Sequence, residues 1–84
     1  MSDYTISSAY SCRTVKNGKT ESFAQGTVIV LYSGSAAATG TLIDLTEGSA
    51  ISSTDELVKY HQYLIPSDNT GFKATSLSVV FVNE

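Results

Sequence analysis

The sequence predicts a mainly β fold, a small antiparallel β-barrel or β-sandwich. Two runs of strand length, residues 27–32 and 77–82, are rich in β-branched and aromatic residues, which favour extended chain. The dipeptide Asn17-Gly18 is typical of a tight turn between two strands. The chain of 84 residues has the length of one domain, residues 1–84, and at this size a single core leaves little stability to spare.

The first two strands are predicted on either side of Asn17-Gly18. Asn-Gly supplies the two positive-φ positions of a type I′ turn, which joins paired antiparallel strands through a two-residue loop. Pairing outward from this loop sets Cys12 opposite Phe23. Tyr10 would then share a face with both residues.

The run 27–32 is apolar at nearly every position, whereas a strand with one face in water should alternate apolar and polar residues. It therefore predicts a strand that is covered on both faces. The small residues of 33–40 predict a loop. Residues 41–46 predict a further strand, with Ile43 and Leu45 facing inward and Asp44 facing water.

Residues 53–65 are ambiguous. Helix over about 54–64 is somewhat favoured, because Ser53 and Glu56 match a capping box and the polar residues of the segment recur on one helical face. In a strand, the same residues would separate polar from apolar side chains poorly. Residues 66–71 then predict a turn, and residues 72–82 predict one final strand.

The composition argues against several classes of function. A net charge of −3 with scattered cations does not fit a surface that binds nucleic acid. One cysteine and one histidine exclude an internal disulfide and a Cys/His zinc site within one chain, and no cofactor is expected. No signal peptide or membrane span is recognisable, so we expect a soluble protein that is made in the cytoplasm.

The sequence also lacks a recognisable catalytic motif. His61 is the only imidazole, and nothing in the sequence places a nucleophile beside it, so a structural His61 is the favoured interpretation. The glycines at 34 and 40 follow an apolar strand as in a phosphate loop, but the lysine that such a loop requires is missing. We expect a protein that is not an enzyme.

Self-association is the property that the sequence favours most. Only 15% of the residues are charged, below the roughly 25% of an ordinary soluble domain, and tyrosine suits contact surfaces. The alternative is a closed monomeric barrel that hides one side of its strands while the N-terminal segment hides the other. The candidate interface residues are Tyr4, Tyr10, Tyr32, Tyr60, Tyr63, Val30 and Val80.

In low charge, small size and abundant Ser and Thr, the chain is similar to small virion components such as phage capsid decoration or tail proteins. This resemblance lies in composition and implies a structural protein that assembles in many copies, incorporated into a virion. Two alternatives stay open. The first is a small inhibitor or adaptor of the anti-defence type that binds one host protein. The second is an oligomeric binder of a small ligand through Thr41, Asp44, Tyr60 and His61, although no small-molecule ligand is expected.

Overall fold

The computed structural model describes residues 10–84. Within them the chain forms nine strands and no helix. The strands are β1 (Tyr10–Val15), β2 (Thr20–Phe23), β3 (Val28–Ser33), β4 (Ala36–Ala38), β5 (Leu42–Asp44), β6 (Ser49–Ile51), β7 (Gln62–Leu64), β8 (Thr70–Ala74) and β9 (Ser78–Asn83).

The strands build two antiparallel sheets that pack on each other. The large sheet has six strands in the order β1-β9-β3-β7-β5-β6, and the small sheet has three strands in the order β2-β8-β4. Neither sheet closes into a barrel. The predicted antiparallel β fold is therefore confirmed, and of its two forms the sandwich is the one observed.

The core lies between the two sheets and is centred on β3 and β9. Ile29 pairs with Val82 and Leu31 pairs with Val80, and all four side chains are buried. The small sheet covers them with aromatic and small side chains, such as Phe72, which is fully buried. Burial of side chains of this size contributes about 1.5 to 3 kcal/mol each, so this pair of strands dominates the stability of the fold.

The predicted hairpin at Asn17-Gly18 is wrong, although the turn itself exists. The Lys19 amide donates to the Lys16 carbonyl at 3.0 Å, and Gly18 has a φ of +88° whereas Asn17 is not in the positive-φ region. A positive φ at the second central position alone fits a type II turn and not a type I′ turn. The turn is a corner between the sheets, because β1 pairs with β9 and β2 pairs with β8.

The predicted helix over 54–64 is also wrong. Residues 55–57 run extended along the edge of β4, where the Ala38 amide donates to the Asp55 carbonyl at 2.8 Å and the Leu57 amide donates to the Ala36 carbonyl at 2.9 Å. Leu57 is buried. An extended segment satisfies the open edge of the small sheet and fills the core at once, which outweighs the local helical preference.

The strand predicted over 41–46 is present as β5, but its faces are inverted relative to the prediction. Leu42 and Asp44 are buried, whereas Ile43 is half-buried and Leu45 is exposed. The pattern failed because Asp44 is a buried carboxylate with hydrogen-bond partners, described below. A buried polar group that is fully hydrogen-bonded reverses the usual reading of alternation.

Two further boundaries differ from the prediction. The loop at 33–40 contains β4, whose alanines are small enough to lie close to β8. The final strand predicted for 72–82 is divided into β8 and β9, which belong to different sheets. Residues 75–77 make the crossing between them, so a second corner connects the sheets at this point.

Two glycines allow a test of the corners. Gly18 and Gly34 have φ values of +88° and +86°, but a Cβ on Gly18 would meet nothing within 4 Å, whereas a Cβ on Gly34 would overlap the Leu77 carbonyl and lie 2.6 Å from the Ser78 hydroxyl. We expect Gly18→Ala to cost about 1 kcal/mol from backbone strain. Gly34→Ala should cost a further 1 to 3 kcal/mol or so from overpacking. Urea unfolding measures both, and equal losses would contradict this account of the Gly34 corner.

Candidate functional site

The large sheet has a second face, which points away from the small sheet and which we call the outer face. Its residues alternate along the strands with the buried core residues. They are Tyr10, Cys12, Thr14, Val28, Val30, Tyr32, Ile43, Leu45, Ala50, Tyr60, Gln62, Leu64, Val79, Phe81 and Asn83.

The outer face is apolar and carries no charged residue at any of these positions. None of its side chains is fully covered by the described part of the chain. Three of its side chains are strongly exposed: Tyr60 at 67%, Tyr32 at 52% and Leu45 at 45%. Val30 on β3 and Phe81 on β9 are half-buried. A contiguous exposed apolar patch on a small soluble protein marks an interaction surface.

Two polar side chains cross part of this face. The Gln62 side-chain amide donates to the Tyr10 hydroxyl at 3.3 Å, although β1 and β7 are separated by β9 and β3. The two side chains therefore reach toward each other above the intervening strands and account for part of the shielding of the valines there. The exposed aromatic end of the face lies beyond this bridge.

An aromatic cluster forms that exposed end. The ring of Tyr32 contacts the ring of Phe81 at 5.5 Å and the ring of Tyr60 at 6.0 Å between centroids, and both pairs are edge-to-face. Such pairs are favourable arrangements of aromatic rings. Three rings in contact form a rigid apolar platform, which we call the aromatic cluster.

The segment 58–61 holds Tyr60 in place. The Tyr60 amide donates to the Leu31 carbonyl at 2.9 Å, and the Val58 amide donates to the Tyr63 hydroxyl at 2.8 Å. The third anchor is His61, whose Nδ1 lies 2.9 Å from Oδ2 of Asp44. Each end of the segment and its centre is thus tied to a strand of the large sheet.

Asp44 is the polar centre of this arrangement. It is 3% exposed, and its Oδ1 accepts hydrogen bonds from the backbone amides of Thr46 at 3.0 Å and Glu47 at 2.9 Å. The ring of His61 also stacks on the ring of Tyr63 at 6.4 Å. In the described residues, every buried side-chain nitrogen and oxygen has a hydrogen-bond partner.

The electrostatics follow from these contacts. Burial alone would raise the pKa of the Asp44 carboxyl, but the hydrogen bond from His61, the attraction of that ring and the two backbone amides together hold the pKa below its ordinary value of 3.8. Burial raises the pKa of the Tyr63 hydroxyl above its ordinary value of 10.0, and the negative charges of Asp44 and Glu47 add to this, while the Val58 amide opposes it. Tyr63 is therefore a neutral anchor.

The Asp44–His61 pair resembles the base and orienting group of a hydrolase only in part. A nucleophilic mechanism needs a Ser, Thr or Cys side chain within hydrogen-bond reach of the free imidazole nitrogen. In residues 10–84, the only side-chain hydrogen bond of His61 is the one to Asp44. The same residues contain no group of three or more His, Cys, Asp or Glu side chains arranged to hold a metal ion. The contact between Asp44 and His61 instead holds segment 58–61 in position.

The candidate interface residues divide into three groups. Tyr10, Tyr32, Tyr60 and Val30 lie on the outer face. Tyr63 and Val80 are fully buried, which corrects their assignment, because their strands turn these side chains into the core. Tyr4 lies outside the described residues. Sequence reasoning missed Leu45, which was expected to face inward, and it did not single out Phe81 from its apolar run.

The free edge of β1 is guarded against pairing with another strand. Arg13 points inward from this edge, where its guanidinium lies 5.4 Å from the centre of the Phe23 ring and within 3.0 Å of Glu84 and 3.5 Å of Glu21. An inward charge on an edge strand disfavours addition of a further strand. A partner is thus better accommodated on the outer face than at this edge.

Comparisons of the chain with protein-family models, curated proteins and solved structures gave no significant match. Over residues 10–84 the fold contains no helix of the length and apolar character needed to cross a bilayer.

Removal of the Asp44 charge should change the dependence of stability on pH. A carboxyl whose pKa is lowered by folding stabilises the fold above its unfolded pKa near 3.8, and this contribution is lost as the pH falls through the lower, folded pKa. We expect Asp44→Asn to cost about 1 to 3 kcal/mol at pH 7. The difference from the wild type should shrink as the pH falls below about 4.

Urea unfolding between pH 2 and pH 8 measures this effect. The matched control is Glu56→Gln, which neutralises an exposed carboxylate and should change stability by less than about 0.5 kcal/mol throughout. A difference between the wild type and Asp44→Asn that stays constant with pH would show that the Asp44 charge is not the stabilising feature.

Proposed function

We propose that this protein is a non-enzymatic structural protein that acts by associating with copies of itself through the outer face. The observation that carries the proposal is a six-stranded sheet with an outer face that is apolar, partly exposed and free of charged residues. A chain that folded as a solitary unit would gain by placing charged residues there, as edge and surface positions of soluble proteins usually do.

The charge distribution favours a second copy over a charged partner. The chain has a net charge of −3, but within residues 10–84 no charged residue lies on the outer face. Two copies can therefore meet through this face without placing like charges opposite each other. A partner selected by electrostatics would instead need a charged patch for steering and register.

The size of the face suits a contact at the small end of protein interfaces. Six strands with five spacings of about 4.8 Å span roughly 24 Å, and strands of three to six residues extend about 10 to 20 Å in the other direction. This footprint is smaller than that of a standard interface, which buries about 800 Å² per partner. Face-to-face packing of two such sheets is also the arrangement found in the cores of β-sandwiches.

The composition supports assembly in many copies. Low charge and abundant hydroxyl side chains reduce the entropy and desolvation that burial of a surface costs. The form of the function that these features favour is a component of a particle, such as a phage capsid decoration or tail protein. The aromatic cluster and the apolar strands would then supply the contact, and no nucleic acid or cofactor is required.

A pair of lysine substitutions tests the proposal. Sedimentation velocity from about 1 to 100 µM should show association of the wild type that increases with concentration. Val30→Lys and Leu45→Lys should each give a folded monomer, because a buried unpaired charge opposes the contact. Ser22→Lys places the same charge on an exposed position of the small sheet and should associate as the wild type does.

Circular dichroism establishes that each variant is folded. Leu45 is already exposed in the single chain, so its replacement carries little risk for folding. A wild type that stays monomeric over the whole concentration range would refute the proposal, as would dissociation by Ser22→Lys alone.

A further inference from the structure

We infer that Tyr60 is the energetic centre of the self-contact and that Asp44 and His61 are positioning residues that hold its ring ready for a second copy. The inference deepens the proposed function and rests on it. It is carried by the backbone conformation and exposure of Tyr60 together with the anchors of segment 58–61.

Tyr60 has a φ of +73°. Bulky residues rarely adopt this conformation, because it strains the backbone and raises the free energy of the folded chain. Glycine or asparagine would adopt it with less strain. The single chain gains little from the tyrosine ring in return, because the ring is 67% exposed. A strained residue with an exposed aromatic ring indicates a role outside the fold of one chain.

Thr54 and Asn69 offer an internal comparison, since they are the other described non-glycine residues with positive φ. Asn69 is of a type that tolerates this region. The Thr54 amide donates to the Ala38 carbonyl at 2.7 Å, which helps to fix segment 54–57 along β4. Neither residue has an aromatic side chain. Of the three, only Tyr60 combines a strained backbone with an exposed aromatic ring.

The support beneath Tyr60 is built from a buried carboxylate and a half-buried imidazole. His61 follows Tyr60 directly and is bound to Asp44, which is itself held by two backbone amides. Burial of a polar group is costly unless it is hydrogen-bonded, and both oxygens of Asp44 have partners. The effect of these contacts is to fix the direction of segment 58–61, and a contact residue that is fixed before binding loses less entropy on association.

The aromatic ring type and location suit this role. Tyrosine is enriched among the residues that dominate interface energies, because it buries a large area with few rotatable bonds. Tyr60 lies against Tyr32, which lies against Phe81. A second copy that packs on the outer face would thus meet a preformed set of rings at one end of it.

The test measures the dissociation constant of self-association by sedimentation equilibrium for four proteins: wild type, Tyr60→Gly, His61→Ala and the double variant. Tyr60→Gly removes the ring and accommodates the positive φ. It should weaken association at least tenfold, while its Tm, measured where all the proteins are monomeric, should stay within about 5 °C of the wild-type value. Lys59→Ala, an exposed neighbour in the same turn, should change neither quantity.

The double variant tests the positioning role. If His61 acts through Tyr60, His61→Ala should weaken association at least threefold in the wild-type background and have no further effect on association in the Tyr60→Gly background. A purely structural His61 would instead lower the Tm equally in both backgrounds and leave the two effects on association additive. Additive effects would overturn the positioning role.

The outcomes separate the inference from the function on which it rests. A wild type without self-association refutes the proposed function and the inference together. A wild type that associates, with Tyr60→Gly associating as tightly, refutes only the role of Tyr60. Loss of association by Val30→Lys and retention by Tyr60→Gly would place the centre of the contact on the middle strands of the sheet.

Discussion

The pairing of β3 with β9 is the interaction on which the rest of the structure depends. These strands are nearly fifty residues apart in the chain, and their inward side chains form the centre of the core. β1 adds to one side of this pair and β7 adds to the other, so each later strand finds its position relative to it. Because β-branched side chains occupy both faces of the two strands, the same pairing that builds the core also creates the apolar outer face. The core and the outer face therefore have one origin.

This origin explains what the sequence could and could not predict. The two apolar runs predicted the central strands and a need for cover on both faces, because that information is local. They could not say which side chains face inward, since both faces are apolar, and so Val80 was assigned to a surface although it is buried. Asn17-Gly18 predicted a turn but not the partners of the two strands that it joins. These strands pair with β9 and β8 and not with each other. Long-range pairing decided the outcome over local turn chemistry.

The candidate site was less accessible to sequence reasoning than the fold. Asp44 alternates with Ile43 and Leu45 as a solvent-facing residue would, and its partner His61 is 17 residues away in the chain. Only the antiparallel pairing of β5 with β7 brings these residues together. The helix predicted over 54–64 showed a similar limit. Its pattern was genuine as a local preference, but residues 55–57 pair with the open edge of β4 and the Val58 amide donates to the Tyr63 hydroxyl, which favours extended and turn conformations.

A buried carboxylate and a tyrosine with a strained backbone are unusual features in so small a protein. Its core has few side chains, and small domains keep only a few kcal/mol of net stability. A glycine at position 60 would adopt the positive φ at lower free energy in a solitary fold. The buried Asp44 and the strained Tyr60 both bear on the same four-residue segment, and that segment borders an apolar face without charged residues. Backbone strain that brings no benefit to the single chain is expected where selection has acted on a contact. The coincidence of strain, buried polarity and exposed aromatic surface at one end of the sheet is thus the physical argument that this surface is used.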